Sequence, residues 1–208
     1  NDDVGNNTNP YLDQYYNSRL RKFTNMFGSI YVKGDIGYGF SYQVNYTPRF
    51  EFYTGFDHIS SQKPGVTTRN GITSRVNEKT YQWQIDNILK WNKSFGQHNF
   101  DVTFLANAEK YQIWNTTVNA ENYSPSDNLT YHNLAAATLY PSISSNDQYQ
   151  TGDALMGRVN YNYNQRYYLT VTARRDGFSA FGQGNPRATF PSVALGWVLT
   201  EENFAKGL

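Results

Sequence analysis

From Leu155 onward the side chains alternate. Leu155, Gly157, Val159, Tyr161 and Tyr163 stand against Met156, Arg158, Asn160 and Asn162, so one face is apolar and the other, apart from Met156, is polar. A repeat of two residues places successive side chains on opposite sides of an extended chain, which is the pattern of a half-buried β-strand. The pattern restarts at Tyr167, with Tyr167, Leu169, Val171 and Ala173 opposite Tyr168, Thr170, Thr172 and Arg174. Asn164 to Arg166 is long enough only for a hairpin turn, which makes the two strands antiparallel neighbours.

The same grammar runs upstream. Tyr81, Trp83, Ile85, Leu89 and Trp91 share a face that Asn87 and Ile88 interrupt, and "KSFGQH" leads into Phe100, Val102, Phe104, Ala106 and Ala108. Phe40, Tyr42, Val44, Tyr46, Phe50 and Phe52 form another set, broken at Pro48, where a missing N–H predicts a bulge or local edge. A weaker strand is expected over 26–33, and a last one runs through Pro191, Val193, Leu195, Trp197 and Leu199. The expectation is an antiparallel up-and-down meander of seven strands, all-β, with almost no helical periodicity.

Connector lengths then separate the architectures. They run short (34–39), long (57–79), short (93–99), very long (114–151), short (164–166) and long (177–189). Strict alternation means two unlike rims, as in transmembrane β-barrels with tight turns on one side, long loops on the other and rings at both interfaces. A soluble extracellular β-sandwich, serving as a carbohydrate-binding or adhesin module, also gives half-buried antiparallel strands. Rings near strand ends, amides and charges on the polar faces, and the lack of a second class of dry strand favour lipid against the apolar face.

Composition agrees. Rings make up 17% of the 208 residues, with 18 Tyr and 13 Phe, yet hydrophobic residues reach only 38% and mean hydropathy is −0.70. So many rings with so few aliphatic residues point to an interfacial role for the aromatics. The net charge of +1 argues against a nucleic-acid partner. There is no cysteine, hence no disulfide framework or thiolate metal site. The chain starts at Asn1 without a leader pattern and stops at "EENFAKGL", and is expected to be a piece of something longer.

Catalytic chemistry finds little footing. His58, His98 and His132 lie far apart in sequence and read as polar loop or turn residues, so no metal or cofactor is expected. Ser179 lacks a nucleophile elbow, and Glu201 and Glu202 read as a solvated turn, not as paired glycosidase carboxylates. Gly182 and Gly184 lack the third glycine and the helix of a dinucleotide loop. Arg174, Arg175 and Asp176 read as an ion-paired rim. The long stretch 115–152 carries Tyr123, Tyr131, Tyr140 and Tyr149 among Asn, Ser and Thr. Such rings stack on pyranose C–H faces while amides bond hydroxyls, although a solvated loop of self-packed tyrosines would read the same way.

The run "ARRDGFSAFGQGNPRATFPSVALGWVLTEENF" resembles the barrel signature of SusC/RagA-type TonB-linked outer membrane proteins. Arg174, Asp176, Gly177, Ser179, Phe181 and Gly182 match it, followed by Phe190, Pro191, Ser192, Gly196, Trp197, Glu201 and Phe204; Phe178, Ala180 and Ala194 depart from it. The resemblance implies one section, 1–208, of a transmembrane β-barrel of about 22 strands, with the plug domain and remaining strands elsewhere. It implies a bacterial outer-membrane location and energy-coupled import of an oligosaccharide or peptide. The implied partners are membrane lipid, a SusD-like surface lipoprotein and the TonB complex acting through the plug. No enzymatic activity is implied.

Overall fold

The computed structural model describes residues 10–182, 184 and 187–205. A seven-residue helix, α1 (Pro10–Tyr16), precedes β1 (Asn17–Phe27), β2 (Ile30–Gly37), β3 (Phe40–Ile59), β4 (Ile72–Phe95), β5 (His98–Tyr123), β6 (Ala137–Ser145), β7 (Gln148–Tyr163), β8 (Tyr167–Phe178) and β9 (Arg187–Trp197). They form one nine-stranded sheet in the order β1-β3-β4-β5-β7-β8-β9, with β2 also on β3 and β6 also on β5. The fold is therefore the expected antiparallel meander. Two of its seven positions are filled by broken strands.

Pro48 explains the first break. β2 pairs with β3 from Ile30↔Tyr46 to Gly37↔Phe40, and Gly28 N–H donates to the Pro48 carbonyl at 3.2 Å, two residues further along the same register. Proline has no N–H to return that bond, so the ladder lapses opposite it. The single weak strand expected over 26–33 is thus the junction of two strands. The second break comes at Asn146 and Asp147, between β6 and β7. β6 follows Thr116↔Ser145 to Asn119↔Ser142, then slips to Glu121↔Leu139 beside Pro141.

The tight turns fall where expected. Between β2 and β3, Tyr38 and Gly39 have φ of 54° and 89°. A Cβ on Gly39 would also run into the Asn92 carbonyl, so only glycine serves. Asn164 and Gln165, both at positive φ, join β7 to β8, which pair from Gly152↔Phe178 to Tyr163↔Tyr167.

The long connections are shorter than the alternation implied. β5 continues to Tyr123 and β6 returns beside it, so much of 114–151 is paired strand and not loop. The expected loop 177–189 narrows likewise, because Gly177↔Arg187, Asp176↔Ala188 and Arg175↔Thr189 extend the β8–β9 ladder. Backbone pairing does not require an apolar face. Where both faces are polar the ladder persists while the sequence alternation disappears.

Two compact units divide the contacts. The first comprises Asn1–Met26, Phe50–Tyr81 and Gln112–Gln148, and the second Phe27–Arg49, Gln82–Tyr111 and Tyr149–Leu208. Buried residues gather in the first: Ala120, Tyr123, Ala137, His58, Thr73, Thr80, Glu121 and Asp127. In the second only Ala154 and Gly177 are buried among the described residues, while Leu155, Val193, Leu195 and Trp197 are exposed.

Candidate functional site

In the second unit the registers sort every side chain onto one of two faces. One carries the apolar set, Phe100 to Ala108 on β5, Leu155 to Tyr163 on β7, Tyr167 to Ala173 on β8 and Pro191 to Trp197 on β9. Along β7 this stretch covers roughly 27 Å at the usual strand rise, close to the apolar band of about 25 Å in barrels that cross a membrane. Toward the long connections charges on this face begin past it, at Lys110, Asp153, Arg175 and Arg187, and at the tight-turn end Lys93 follows Trp91. At the tight-turn end a line of rings crosses the strands: Phe40–Trp91 at 6.0 Å, Trp91–Phe100 at 6.4 Å, Phe100–Tyr161 at 5.0 Å, Tyr163–Tyr167 at 6.4 Å and Tyr167–Trp197 at 6.4 Å. At the other margin Lys110 Nζ lies 5.5 Å from the Tyr149 ring. Asn87 stays on the apolar face, where its side-chain oxygen accepts the Tyr42 hydroxyl at 2.6 Å.

The opposite face is a hydrogen-bonded polar lattice. Asn99 bonds Asn162, Asn160 bonds Asp101, Thr170 bonds Asn160, Arg158 bonds Thr172, and Asn107 donates to Asp86. Such a face suits contact with water or polar solute.

The signature residues close the strand ends. Arg174 Nε donates to Asp176 at 2.8 Å along one face of β8, so the ion-paired rim takes that form. Arg187 and Asp153 bond across Gly177 on the other face, and a Cβ on Gly177 would lie 2.7 Å from Asp153 Oδ1. Ser179 Oγ accepts the Thr151 N–H at 2.9 Å while its own N–H bonds the Thr151 carbonyl, which ties off the β7–β8 hairpin. Phe181 packs edge-on against Phe178, just before Gly182. Phe190, Pro191 and Ser192 pair with Arg174, Ala173 and Thr172. Gly196 faces Tyr168, and a Cβ there would stand 3.3 Å from the Tyr168 Cβ, a tight contact. Trp197 Nε1 and the Tyr167 hydroxyl both donate to Glu202.

The first unit holds a different arrangement. His58, expected as a loop residue, is 3% exposed at the end of β3. Its Nδ1 lies 2.8 Å from Thr73 Oγ1 and its Nε2 3.2 Å from Asp127 Oδ2, and Asp127 accepts the Ser61 N–H at 2.6 Å and the Ser61 hydroxyl at 3.0 Å. Because a carboxylate only accepts, Nε2 carries the proton shared with Asp127. Asp127, His58 and Thr73 lie in the order of a hydrolytic triad, but Thr73 is 0% exposed, so no substrate reaches its hydroxyl. Nearby, Arg69 Nε donates to Glu121 at 2.8 Å, and Asn70 Nδ2 to the Tyr123 carbonyl at 2.6 Å. These bonds knit the β3–β4 connection to the end of β5, and the Ser61–Asp127 bonds join it to the β5–β6 connection.

The four candidate tyrosines are not brought together. Tyr123 is 1% exposed, packs with Ala120 and Ala137, and stands edge-on to His58, so it presents no ring face to a ligand. Tyr131 stacks on Phe56 at 4.3 Å, Tyr140 donates to the Leu134 carbonyl from the exposed strand β6, and Tyr149 lies on β7 under Lys110 in the other unit. Among the described residues no group of three His, Cys, Asp or Glu is arranged to hold a metal. Asn-X-Ser/Thr sequons occur at Asn6, Asn45, Asn92, Asn115, Asn122 and Asn128, as an Asn-rich chain makes by chance, and Asn6 lies outside the described residues.

No family model matches the chain. It is 32% identical over 184 residues, 80% of its length, to TonB-dependent receptor P3 of Formosa agariphila, and 32% identical over 144 residues to TonB-dependent receptor SusC of Bacteroides thetaiotaomicron. The RagAB peptide transporter structure shares its fold, with a TM-score of 0.85 over 95% of the chain at 14% identity. The chain belongs to the SusC/RagA-type TonB-dependent receptors. It spans about a fifth of the curated relatives it matches, 18% of P3 and 20% of receptor P26 of the same organism.

β3, β4 and β5 are 20, 24 and 26 residues long, more than the roughly 10 residues that cross hydrocarbon, and His58 and Thr73 of the buried polar knot stand near the strand ends away from the tight turns. Burial holds the His58 pKa below its ordinary value, against the pull of Asp127. Burial opposes ionisation of Asp127, but the two Ser61 bonds and His58 outweigh it and keep the carboxyl low. The Glu121 carboxyl is also lowered, by the Arg69 bond. Sequence reasoning missed this knot because His58 and Asp127 are 69 residues apart and no local pattern joins them.

Proposed function

We propose that the chain is part of the wall and outer rim of a bacterial outer-membrane transporter that imports nutrients, foremost oligosaccharides, together with a SusD-like surface lipoprotein. The carrying observation is the charge-free apolar face bounded by the ring line at one margin and by Lys110, Asp153, Arg175 and Arg187 at the other. Hydrocarbon tolerates a sheet only when every edge is paired. The stretch 1–208 then supplies seven positions of a closed barrel of about 22 strands. The plug, the TonB contact and the other strands belong to the remainder of such a receptor. The protein acts by passage of solute, as transporters do. An oligosaccharide is favoured over a peptide by amides, hydroxyls and ring faces on the polar side of the sheet.

The stretch 1–208 has no cysteine, so with any cysteine elsewhere in the receptor replaced by serine, single cysteines here report without background. In the full-length receptor in cells, Leu155→Cys, Val171→Cys and Leu195→Cys should react only with a lipid-soluble maleimide, and Asn160→Cys and Thr172→Cys only with a small aqueous one. Aqueous labelling of both sets would remove the membrane wall. Deleting the receptor gene should abolish growth on one oligosaccharide while growth on its monosaccharide persists; a loss confined to peptides would move the substrate class to peptides.

A further inference from the structure

We propose that the polar face of the second unit holds a saccharide-binding subsite centred on Glu109 and Phe190. This deepens the transport reading and rests on it. A cavity of about 600 Å³ opens there, bordered by Glu109, Asn107, Asp86, Arg174, Phe181 and Phe190. A smaller one of about 310 Å³ adjoins it, sharing Glu109 and Phe178 and adding Gln82, Gln150 and Tyr111.

The acids of this site are not equivalent. Asp86 already accepts Gln84 Nε2 at 3.0 Å and Asn107 Nδ2 at 2.6 Å, and Asp176 accepts Arg174. Asp153 is held by Arg187. Glu109 alone of the four has no hydrogen bond to any described residue, and it is half-buried. Its carboxylate occupies the space above Gly152, where a Cβ would come within 2.6 Å of Oε1. A free acceptor pair thus points into a cavity whose other acids are already satisfied.

The rings supply the second half of the recognition. Phe190 is 55% exposed and Phe181 42%, although both border the cavity. Phe181 is propped edge-on against Phe178, with centroids 5.6 Å apart. A pyranoside offers an apolar C–H face to a phenyl ring and a rim of hydroxyls to a carboxylate and to amides. A polycationic peptide would meet one uncompensated charge and leave the phenyl faces unused. The two signature phenylalanines are therefore assigned to ligand contact, beyond the pairing of Phe190 with Arg174 and the turn that holds Phe181.

The test uses the full-length receptor in detergent, with Phe190→Trp as a fluorescent reporter and a panel of neutral hexasaccharides of glucose, mannose, galactose and xylose beside tetralysine. One hexasaccharide should shift the indole emission saturably. In isothermal titration of that sugar, Phe190→Ala and Glu109→Ala should each weaken binding about tenfold, the scale of one lost stacking or hydrogen-bonding contact. Glu109→Gln should stay within about threefold, since an amide still bonds hydroxyls. Leu195→Ala on the apolar face should change nothing. A sugar bound equally well by Phe190→Ala and Glu109→Ala would overturn the subsite while leaving saccharide import standing. Tetralysine binding lost in Glu109→Gln would overturn it in favour of a cationic ligand. If no hexasaccharide binds the receptor, the subsite and the substrate class fall together.

Discussion

The two units bury opposite things. In the first, His58, Thr73, Asp127 and Glu121 are packed out of solvent and satisfy one another, with small apolar residues such as Ala120 and Ala137 around them. In the second, Leu195 is 83% exposed and Val193 68%, and the polar side chains pair on the opposite face. A core of ordinary type is absent from the described residues of the second unit because its apolar side is solvated by lipid, so outward exposure there is the stable arrangement. In the first unit stability has another source. It rests on a desolvated polar cluster, in which each lost partner strands another group.

The largest effect is expected from a charge on the apolar face. Val171→Arg, at mid-strand on β8, should destabilise the receptor by about 3 kcal/mol. Thr172→Arg, one residue away on the polar face, gives up the bond from Arg158 and should cost about 1 kcal/mol. Urea titration of the receptor folded into lipid vesicles reads both. Equal effects would mean that the two faces of β8 meet the same medium.

The knot comes next. Asp127→Ala removes the acceptor for His58 and for both Ser61 groups, and should cost about 2 kcal/mol of local stability. Hydrogen exchange should show faster opening of 60–71 and 124–136, with the β8–β9 ladder unchanged. The pH dependence has a definite sign. The folded-state pKa of His58 lies below its ordinary 6.5, so the unfolded segment binds the proton more readily. Protection of the two connections should therefore be flat above that value and fall as pH drops below it. Asp127, also lowered, adds its own loss only in strong acid, as pH falls through its folded pKa. In His58→Gln the first decline should vanish.

These two regions also differ in how far the sequence discloses them. β7, β8 and the lower parts of β4 and β5 were legible because lipid on one side and polar solute on the other enforce a strict period of two. β6, β1 and the upper reaches of β5 were not, since a ladder with two polar faces leaves no alternation. Pro48 was read correctly as a disturbance, but its effect fell on the neighbouring strand, at Gly28. Arg174, Asp176 and Gly177 were recognised as a pattern, while the reason for the glycine lies in a cross-strand pair, Asp153 and Arg187, that only register reveals. His58 and Tyr123 were misplaced because burial by tertiary contact has no local signature.

A smaller effect is expected at that glycine. Gly177→Ala should cost about 1 kcal/mol, because the atoms a Cβ meets are the ends of two partly exposed side chains that can move aside. Gly39→Ala, which meets backbone at positive φ, should cost about three times as much by the same urea titration.

The smallest expected effect probes the apolar face most finely. Tyr42 and Asn87 are polar groups on a side that otherwise faces hydrocarbon, and each satisfies the other at 2.6 Å. Asn87→Leu leaves the Tyr42 hydroxyl without its acceptor and should cost about 1 kcal/mol. Tyr42→Phe leaves the Asn87 amide alone and should cost a similar amount. The double substitution removes both groups from lipid and should return to within about 0.5 kcal/mol of the parent, because matched apolar replacement of a buried pair is nearly neutral. If the two costs simply added, the pair would not be coupled, and Asn87 would be finding water where the comparison of the two units places lipid.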